Sequence, residues 1–281
     1  MKALLGLVVT AHAISVVPAS AQQNASDRKI SIGDRALWLA CSGSGAPTVM
    51  LEAGHTDSSV TWAPVQPRIA EFTRVCSYDR AGRGRSDPAA GAGRRGTDVV
   101  RDMHLLLQAA GESGPFVLVG HSLGGAFVRL YASAYPGDVA GLVLVDAVSE
   151  REQAMIGDML TSEQRALGAT VLPPQPEGID ILAVNEELRV QTKPLAVPLV
   201  AVARGRPLAD EELPPTWTPA QRRRREAIRQ ESQAGLARLS SRGELVMAKK
   251  SGHFVHHEEP ELVVAAVRKL VDGWRQTRRR D

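Results

Sequence analysis

The sequence predicts a doubly wound α/β fold built on a mostly parallel sheet. Several short apolar runs have the length and composition of strands that are covered on both faces. These runs lie at 48–53, 74–78, 116–119, 139–145, 199–203 and 244–248. Helical patterns separate most of them, and after Thr97 the residues Val99, Met103 and Leu106 share one helical face. Strands that alternate with helices along a chain indicate a parallel sheet with helical crossovers.

The remaining elements follow from local patterns. Residues 30–40 alternate loosely before a turn at 42–47, which predicts a hairpin that leads into the first buried run. Residues 62–72 predict a short helix with prolines near its start. Thr97 is expected to cap the helix that follows a loop rich in glycine and arginine. Further helices are expected at 122–134, 150–160, 181–190 and 260–274, with a mostly helical polar segment at 210–240.

The alternation of strands and helices stops between residues 149 and 194. Helical pieces there surround a proline-rich turn at 173–176, and the strand pattern resumes at 199. We therefore expect a small helical cap insertion, about 149–194, over one edge of a single domain that spans 22–281.

Composition excludes several classes of protein. The 281 residues are 43% hydrophobic with a net charge of +3, which argues against a chain that is mostly disordered. Lys and Arg number 34 against 31 Asp and Glu. Because a chain built to bind nucleic acid usually has a larger and patterned excess of positive charge, no nucleic acid is expected as a partner.

The first 21 residues have the pattern of a secretory signal peptide. Met1-Lys2 gives a positive start, an apolar run follows, and Ala19-Ser20-Ala21 is a small-residue cleavage signature. Cleavage after Ala21 would release residues 22–281, without stable membrane insertion, into the periplasm or the medium. An amphipathic first helix of the domain is the alternative, although helical periodicity is absent from this segment.

The motif with the clearest chemistry is Gly120-His121-Ser122-Leu123-Gly124, a G-x-S-x-G pattern between an apolar run and a helix rich in small residues. A sharp strand-to-helix turn of this kind exposes the serine hydroxyl at the carboxyl ends of the strands, so Ser122 is the predicted nucleophile. A phosphate-binding turn is the alternative, but the Lys and Ser/Thr of a P-loop are missing.

A serine hydroxyl needs a general base to become a nucleophile. Three histidines cluster after the final strand, and His253 follows Ser251-Gly252 at the apex of the loop. His256 and His257 run toward the next helix. His253 is therefore the predicted base.

Together these segments resemble the α/β-hydrolase superfamily, over nearly the whole chain from residue 22. The matching segments are LEAGH at 51–55, YDRAGRGRS at 78–86, VGHSLGG at 119–125, LVLVD at 142–146 and SGHF at 251–254. The resemblance implies a serine hydrolase that cleaves a carboxylic ester, or less readily an amide, of a small molecule by acyl transfer. It implies no metal and no organic cofactor. A cofactor-free haloperoxidase-like enzyme and a non-catalytic binding module on the same fold are the alternatives.

The acid of a Ser-His-Asp triad has two candidates. Many members of the superfamily place it after the penultimate strand, but the corresponding position here is Leu208, and Asp210 comes two residues late. Asp146 ends the strand that follows the nucleophile helix, a position that some members use. We favour Asp146, although many relatives carry an aspartate there only to brace the cap.

The resemblance also implies an oxyanion hole of two backbone N–H groups. One belongs to Leu123, directly after the nucleophile, and the other to His55 in the loop after an early strand.

Cys41 and Cys76 are the two cysteines of the chain. The resemblance places them on the second and fourth strands, which are neighbours in this fold. Adjacent strands lie about 4.8 Å apart, within the reach of a disulfide if the register aligns. We therefore expect this disulfide in an exported protein, and two separate buried thiols are the alternative.

Overall fold

A computed structural model describes residues 26–169, 176–191, 194–209, 211 and 213–280. The expected signal peptide, 1–21, lies outside these residues, and so do 170–175 and 192–193 of the expected cap insertion. Within the described ranges, no helix is long and apolar enough to cross a membrane.

An eight-stranded sheet forms the centre of the molecule. Its strands are β1 (Ser26–Ser31), β2 (Ala36–Ser42), β3 (Val49–Glu52), β4 (Val75–Tyr78), β5 (Phe116–His121), β6 (Val139–Val145), β7 (Leu199–Arg204) and β8 (Gly243–Ala248). Their spatial order is β1-β2-β4-β3-β5-β6-β7-β8. The β1–β2 and β2–β4 pairs are antiparallel, whereas all later neighbours are parallel. The predicted fold class is therefore confirmed.

Helices cover both faces of this sheet. They are α1 (Gln66–Ala70), α2 (Gly96–Ala110), α3 (Leu123–Ala134), α4 (Glu150–Met159), α5 (Ser162–Ala169), α6 (Ile181–Gln191), α7 (Pro219–Ala237), α8 (Val255–Glu258) and α9 (Pro260–Arg278). Three of them, α4 to α6, lie between β6 and β7, in the stretch expected to be the cap insertion.

The central strands are buried on both faces because their side chains alternate between two apolar cores. Met50 and Leu118 point into the core that contains residues of α2 and α3. Their neighbours Leu51 and Val119 point into the core that contains residues of α1 and α9. Each fully buried side chain of this size contributes roughly 1.5–3 kcal/mol to the free energy of unfolding. The two-sided burial explains why these strands are continuous apolar runs in the sequence.

Two helix boundaries differ from the sequence-based expectation. The helix expected at 62–72 is divided into a 3-10 turn, Ser59–Trp62, and the short α1. Pro67 stands in the first turn of α1, where its missing N–H does no harm.

Thr97 does not cap α2, because the helix already begins at Gly96. The Asp98 carboxylate instead accepts a hydrogen bond of 2.8 Å from the backbone N–H of Arg95. The Thr97 hydroxyl donates to Glu187 of α6 at 2.6 Å and so helps to attach that helix to α2.

The structure contains the expected disulfide between Cys41 and Cys76. The two residues lie directly opposite each other in the antiparallel β2–β4 pair, so the register aligns as the disulfide requires. The bond joins the antiparallel edge of the sheet to β4, next to the parallel strands.

Removal of this disulfide should destabilise the protein. Because the bond closes a loop of 35 residues, the Cys41→Ala/Cys76→Ala variant should lose about 3–4 kcal/mol of unfolding free energy through the added entropy of its unfolded chain. Urea denaturation of the oxidised protein and of this variant measures the difference. Thiol titration of denatured, unreduced protein is the control, and two free thiols there would contradict the bond.

Candidate active site

Ser122 stands in a strained turn between β5 and α3. Its backbone has φ 51° and ψ −119°, in a region that non-glycine residues seldom occupy. The Ser122 N–H donates to Val145 O at 3.0 Å, and the Ser122 carbonyl accepts from Gly125 and Val148, both at 3.0 Å. The bonds with Val145 and Val148 hold the turn against the end of β6, and the bond from Gly125 joins it to α3.

The glycines of the motif are required by close backbone approach. A Cβ at Gly120 would stand 2.5 Å from the Gly124 carbonyl oxygen, and a Cβ at Gly124 would collide with the Glu52 carbonyl at the end of β3. The strand and helix therefore meet at a sharp angle only with glycine at both positions.

Asp146 follows β6, the neighbour of β5, and is fully buried. Its backbone also has a positive φ, of 40°. The Asp146 N–H donates to Val202 O of β7 at 2.8 Å, which fixes the residue between two strand ends. Because β5 and β6 are parallel, Ser122 and Asp146 emerge at the same edge of the sheet.

His253 comes to this edge in the loop between β8 and α8. Its Nδ1 lies 2.6 Å from Asp146 Oδ2. Its backbone carbonyl accepts a hydrogen bond of 3.0 Å from Nε2 of His121, the residue before Ser122. The His253 side chain remains about one-third exposed (35%).

The structure thus collects Ser122, Asp146 and His253 at one edge of the sheet. A hydrogen bond joins His253 to Asp146. Within the described part of the chain, Ser122 Oγ makes no hydrogen bond to His253. Such contacts are often long before substrate binds. With Nδ1 bound to Asp146, Nε2 is the ring nitrogen left to exchange a proton.

The electrostatics of Asp146 favour its ionised form. Burial by itself raises the pKa of this carboxyl, but the hydrogen bond to His253 and the charge of Arg229 outweigh it and hold the pKa well below its usual range. Oδ1 forms an ion pair with Arg229 of α7 and accepts the Arg204 N–H at 3.1 Å. The other oxygen is left for His253.

Two further histidines lie beneath His253 and stay neutral. Because His121 Nε2 donates to a carbonyl, its hydrogen is on that nitrogen. The His256 ring packs 4.7 Å from the Trp62 ring, and its Nε2 lies 2.9 Å from Thr61 Oγ1. Burial lowers the pKa of His121 to about 3 and that of His256 to about 2.

The predicted oxyanion groups belong to the first residue of α3 and to the loop after β3. Leu123 is the first residue of α3, so its N–H has no partner within the helix. His55 follows β3 in a loop held by Arg80, whose guanidinium donates to the carbonyls of Ala53 at 2.7 Å and Gly54 at 2.6 Å. These bonds fix the two peptide groups before His55.

Arg80 belongs to a buried ionic network that also reaches the segment between β6 and β7. It pairs with Glu52 at 2.6 Å and with Glu177 at 2.8 Å, and all three side chains are almost fully buried. Tyr78 donates to the second oxygen of Glu52 at 2.5 Å. Since Glu177 precedes α6, this network joins the segment between β6 and β7 to the loop that carries His55.

The His55 side chain is half-buried beside this loop. Burial lowers the pKa of its imidazole, and Nε2 has no hydrogen-bond partner among the described residues. Asp57, two residues later, has a raised pKa because it is partly buried. A neutral imidazole therefore lies beside the predicted oxyanion loop.

The alternative acid, Asp210, lies outside the described residues. Among those that are described, one group has the ligand spacing of a metal site, Cys41, Cys76 and Glu112. Its two sulfurs form the disulfide, so they are not available as thiolates.

Sequence reasoning missed Arg229 and Glu177. Arg229 belongs to a polar, arginine-rich segment typical of a solvated helix, yet it lies on the inner face of α7 with Ser232, Gln233 and Leu236. The spacing of these residues is the one available signal. Glu177 follows a proline-rich turn and carries no pattern at all.

Comparison with known proteins agrees with this architecture. Residues 47–169 match the family model described as alpha/beta hydrolase fold. Uncharacterized protein YqjL of Bacillus subtilis is 27% identical over 231 residues, 80% of this chain and 83% of that protein. A 2-(acetamidomethylene)succinate hydrolase of Mesorhizobium japonicum is 26% identical over 269 residues, 88% of this chain and 95% of that protein.

Solved structures share the fold at low sequence identity. A thermophilic esterase from Thermogutta terrifontis superposes with a TM-score of 0.63 at 19% identity, over 89% of this chain and 99% of that one. The enol-lactonase from Burkholderia xenovorans gives 0.61 at 18% identity, over 87% and 100%. The chain is a member of the alpha/beta hydrolase fold superfamily.

The two buried histidines should make the fold sensitive to acid. Their pKa values of about 3 and about 2 in the folded protein compare with about 6.5 in an unfolded chain. Below pH 6.5 the unfolded state therefore binds more protons. The unfolding free energy should fall by about 1.4 kcal/mol per pH unit for each imidazole as the pH drops toward 3.

Urea denaturation between pH 7 and pH 4 measures this slope. The His256→Gln variant should have a shallower slope than the unchanged protein. His257→Gln is the matched control, because its ring is next to His256 but exposed. Equal slopes in all three proteins would contradict the expectation.

Proposed function

We propose that this protein is a serine hydrolase that cleaves a carboxylic ester by acyl transfer. In this proposal Ser122 is the nucleophile, His253 the general base and Asp146 the acid that orients the base. The observation that carries the proposal is the 2.6 Å contact between His253 Nδ1 and Asp146 Oδ2. It occurs at the sheet edge where the strained turn presents Ser122.

The reaction begins when His253 Nε2 accepts the proton of Ser122 Oγ. The oxygen attacks the ester carbonyl carbon, and the carbonyl electron pair moves onto oxygen to give a tetrahedral oxyanion. The N–H groups of Leu123 and His55 would donate to that oxyanion. Asp146 stabilises the imidazolium and keeps its ring oriented.

The intermediate then collapses. The bond to the leaving alkoxide breaks, His253 returns its proton to that oxygen, and the acyl group stays on Ser122. Water attacks the acyl carbon while one of its protons passes to His253. The bond to Ser122 Oγ then breaks, His253 returns the proton to that oxygen, and the carboxylic acid is released. An ester is favoured over an amide because expelling an alkoxide demands less of the general acid.

Several of the compared proteins are named for hydrolysis at a carbonyl carbon. They include an esterase and an enol-lactonase among the solved structures. One curated relative is named as the hydrolase of an acetamido compound. Turnover of a p-nitrophenyl ester series and of the matching p-nitroanilides therefore tests the preferred bond directly, and faster cleavage of the anilides would overturn the ester assignment.

We also propose that the protein is exported after removal of residues 1–21. The apolar run and the small residues before position 22 support this, and a disulfide suits an oxidising compartment. Mass spectrometry of protein from the exported fraction should find Gln22 as the first residue. An intact Met1 on protein confined to the cytoplasm would contradict export.

Ser122→Ala should abolish ester hydrolysis with little effect on the fold. The expected loss is several orders of magnitude, about 10⁶ in kcat in a comparable serine hydrolase. The variant should also lose labelling by a fluorophosphonate, which reacts only with an activated serine. Ser133→Ala, on the same helix, is the control. Labelling of the Ser122→Ala protein at the wild-type rate would reject the nucleophile, and absence of labelling in the unchanged protein would favour a binding module.

The acid is tested by a matched pair of variants. Asp146→Asn should lower kcat by about 10⁴, because a neutral amide cannot hold the required histidine tautomer. Asp210→Asn should leave kcat within about threefold of its original value. Steady-state kinetics on p-nitrophenyl acetate distinguishes the two, and the reverse result would assign the acid to Asp210.

A further inference from the structure

We propose that Arg229 is a positioning residue that orients the Asp146 carboxylate toward His253, an inference that rests on the proposed function. Arg229 is separated from Asp146 by 83 positions in the chain. It reaches the acid from α7, a helix that supplies none of the predicted catalytic residues.

The contacts of Arg229 are made by the two terminal nitrogens of its guanidinium. Nη2 forms an ion pair with Asp146 Oδ1 and donates to the Asp146 backbone carbonyl at 3.2 Å. Nη1 donates to Glu152 of α4 at 2.7 Å. The Arg229, Asp146 and Glu152 side chains are 7%, 0% and 5% exposed, so water cannot replace these bonds.

The contacts of Asp146 Oδ1 determine that Oδ2 is the oxygen that faces His253. A carboxylate rotates easily about its terminal torsion, and either oxygen could then face the histidine. Arg229 and the Arg204 N–H together bind Oδ1, which leaves Oδ2 at 2.6 Å from His253 Nδ1. The guanidinium therefore selects the carboxylate orientation that gives the histidine its hydrogen bond.

Arg229 also holds the backbone of Asp146. The residue has a φ of 40°, which costs an ordinary residue conformational energy unless its surroundings hold it. The bond from Arg229 to the Asp146 carbonyl, together with the bond of 2.8 Å from Gln233 to the Ala147 carbonyl, fixes both peptide groups from α7.

The structure also indicates how to remove Arg229 without unfolding the protein. Arg229→Gln alone would leave Glu152 buried without its cation, which is strongly destabilising. The Arg229→Gln/Glu152→Gln variant removes both charges at once and leaves Asp146 with the Arg204 N–H and His253.

Arg229→Lys is the conservative variant, with one charged nitrogen in place of the two terminal nitrogens of the guanidinium. Arg225→Gln is the control, since Arg225 precedes Arg229 by one helical turn and is not a partner of Asp146.

Two measurements separate positioning from simple support of the fold. In steady-state kinetics on p-nitrophenyl acetate, the double variant should lose about 10- to 100-fold in kcat with KM within about threefold, because the base is misoriented while the pocket is unchanged. In proton NMR, the low-field signal of the His253 Nδ1 proton, assigned by its loss in His253→Gln, should disappear or exchange faster. Arg229→Lys should recover part of both readouts, and Arg225→Gln should match the unchanged protein.

The outcomes are distinct from those of the proposed function. A folded double variant that keeps the Nδ1 signal and a kcat within about threefold would overturn the role of Arg229. If the unchanged protein fails to hydrolyse esters or to label with fluorophosphonate, the proposed function fails. The NMR comparison still decides whether Arg229 orients Asp146, because it needs no substrate.

Discussion

A charge that is fully removed from water governs the arrangement of this site. Asp146 is completely buried, and an isolated carboxylate in such a place would be protonated. It stays ionised because the structure surrounds it with donors: the Arg204 N–H, the Arg229 guanidinium and the His253 ring. Those donors come from β7, α7 and the loop after β8. The same contacts that stabilise the charge therefore bring three distant parts of the chain to the end of β6.

The loop that carries His55 is built by the same physical principle. The positive charge of Arg80 is buried and needs compensating negative charge, which Glu52 and Glu177 supply by ion pairing. Each terminal nitrogen of its guanidinium also donates to one carbonyl of the loop, Nη1 to Ala53 and Nη2 to Gly54. Replacement of a buried ion pair by apolar residues is often neutral for stability, whereas loss of a single partner is costly. The value of the Arg80 network is accordingly geometric, because it fixes the peptide groups beside the predicted oxyanion hole.

These two networks connect the segment between β6 and β7 to both halves of the site. Glu177 reaches the His55 loop through Arg80, and Glu152 reaches Asp146 through Arg229. Glu150 pairs in addition with the buried Arg129 of α3, the helix that begins after Ser122. The segment is thus attached by charged side chains at several points, rather than resting on the sheet through apolar contacts alone. A displacement of α4 would disturb the contacts that reach Asp146 through Arg229 and those with α3 through Arg129.

The sequence by itself determined the fold class, because parallel strands that are buried on both faces require continuous apolar runs, and such runs can be recognised without the structure. It also determined the turn at Ser122, since only glycine permits the backbone approach at positions 120 and 124. The pairing of Cys41 with Cys76 was expected from the strand order that the family resemblance implies, and the disulfide is present; its register was decided by the tertiary structure. Only the tertiary structure decided which polar residues meet. Arg229 and Glu177 lie far along the chain from their partners, in polar segments that resemble solvated surface. The spacing of buried residues in α7 can place Arg229 on an inner helix face, but no sequence pattern identifies the residue with which a long-range ion pair forms.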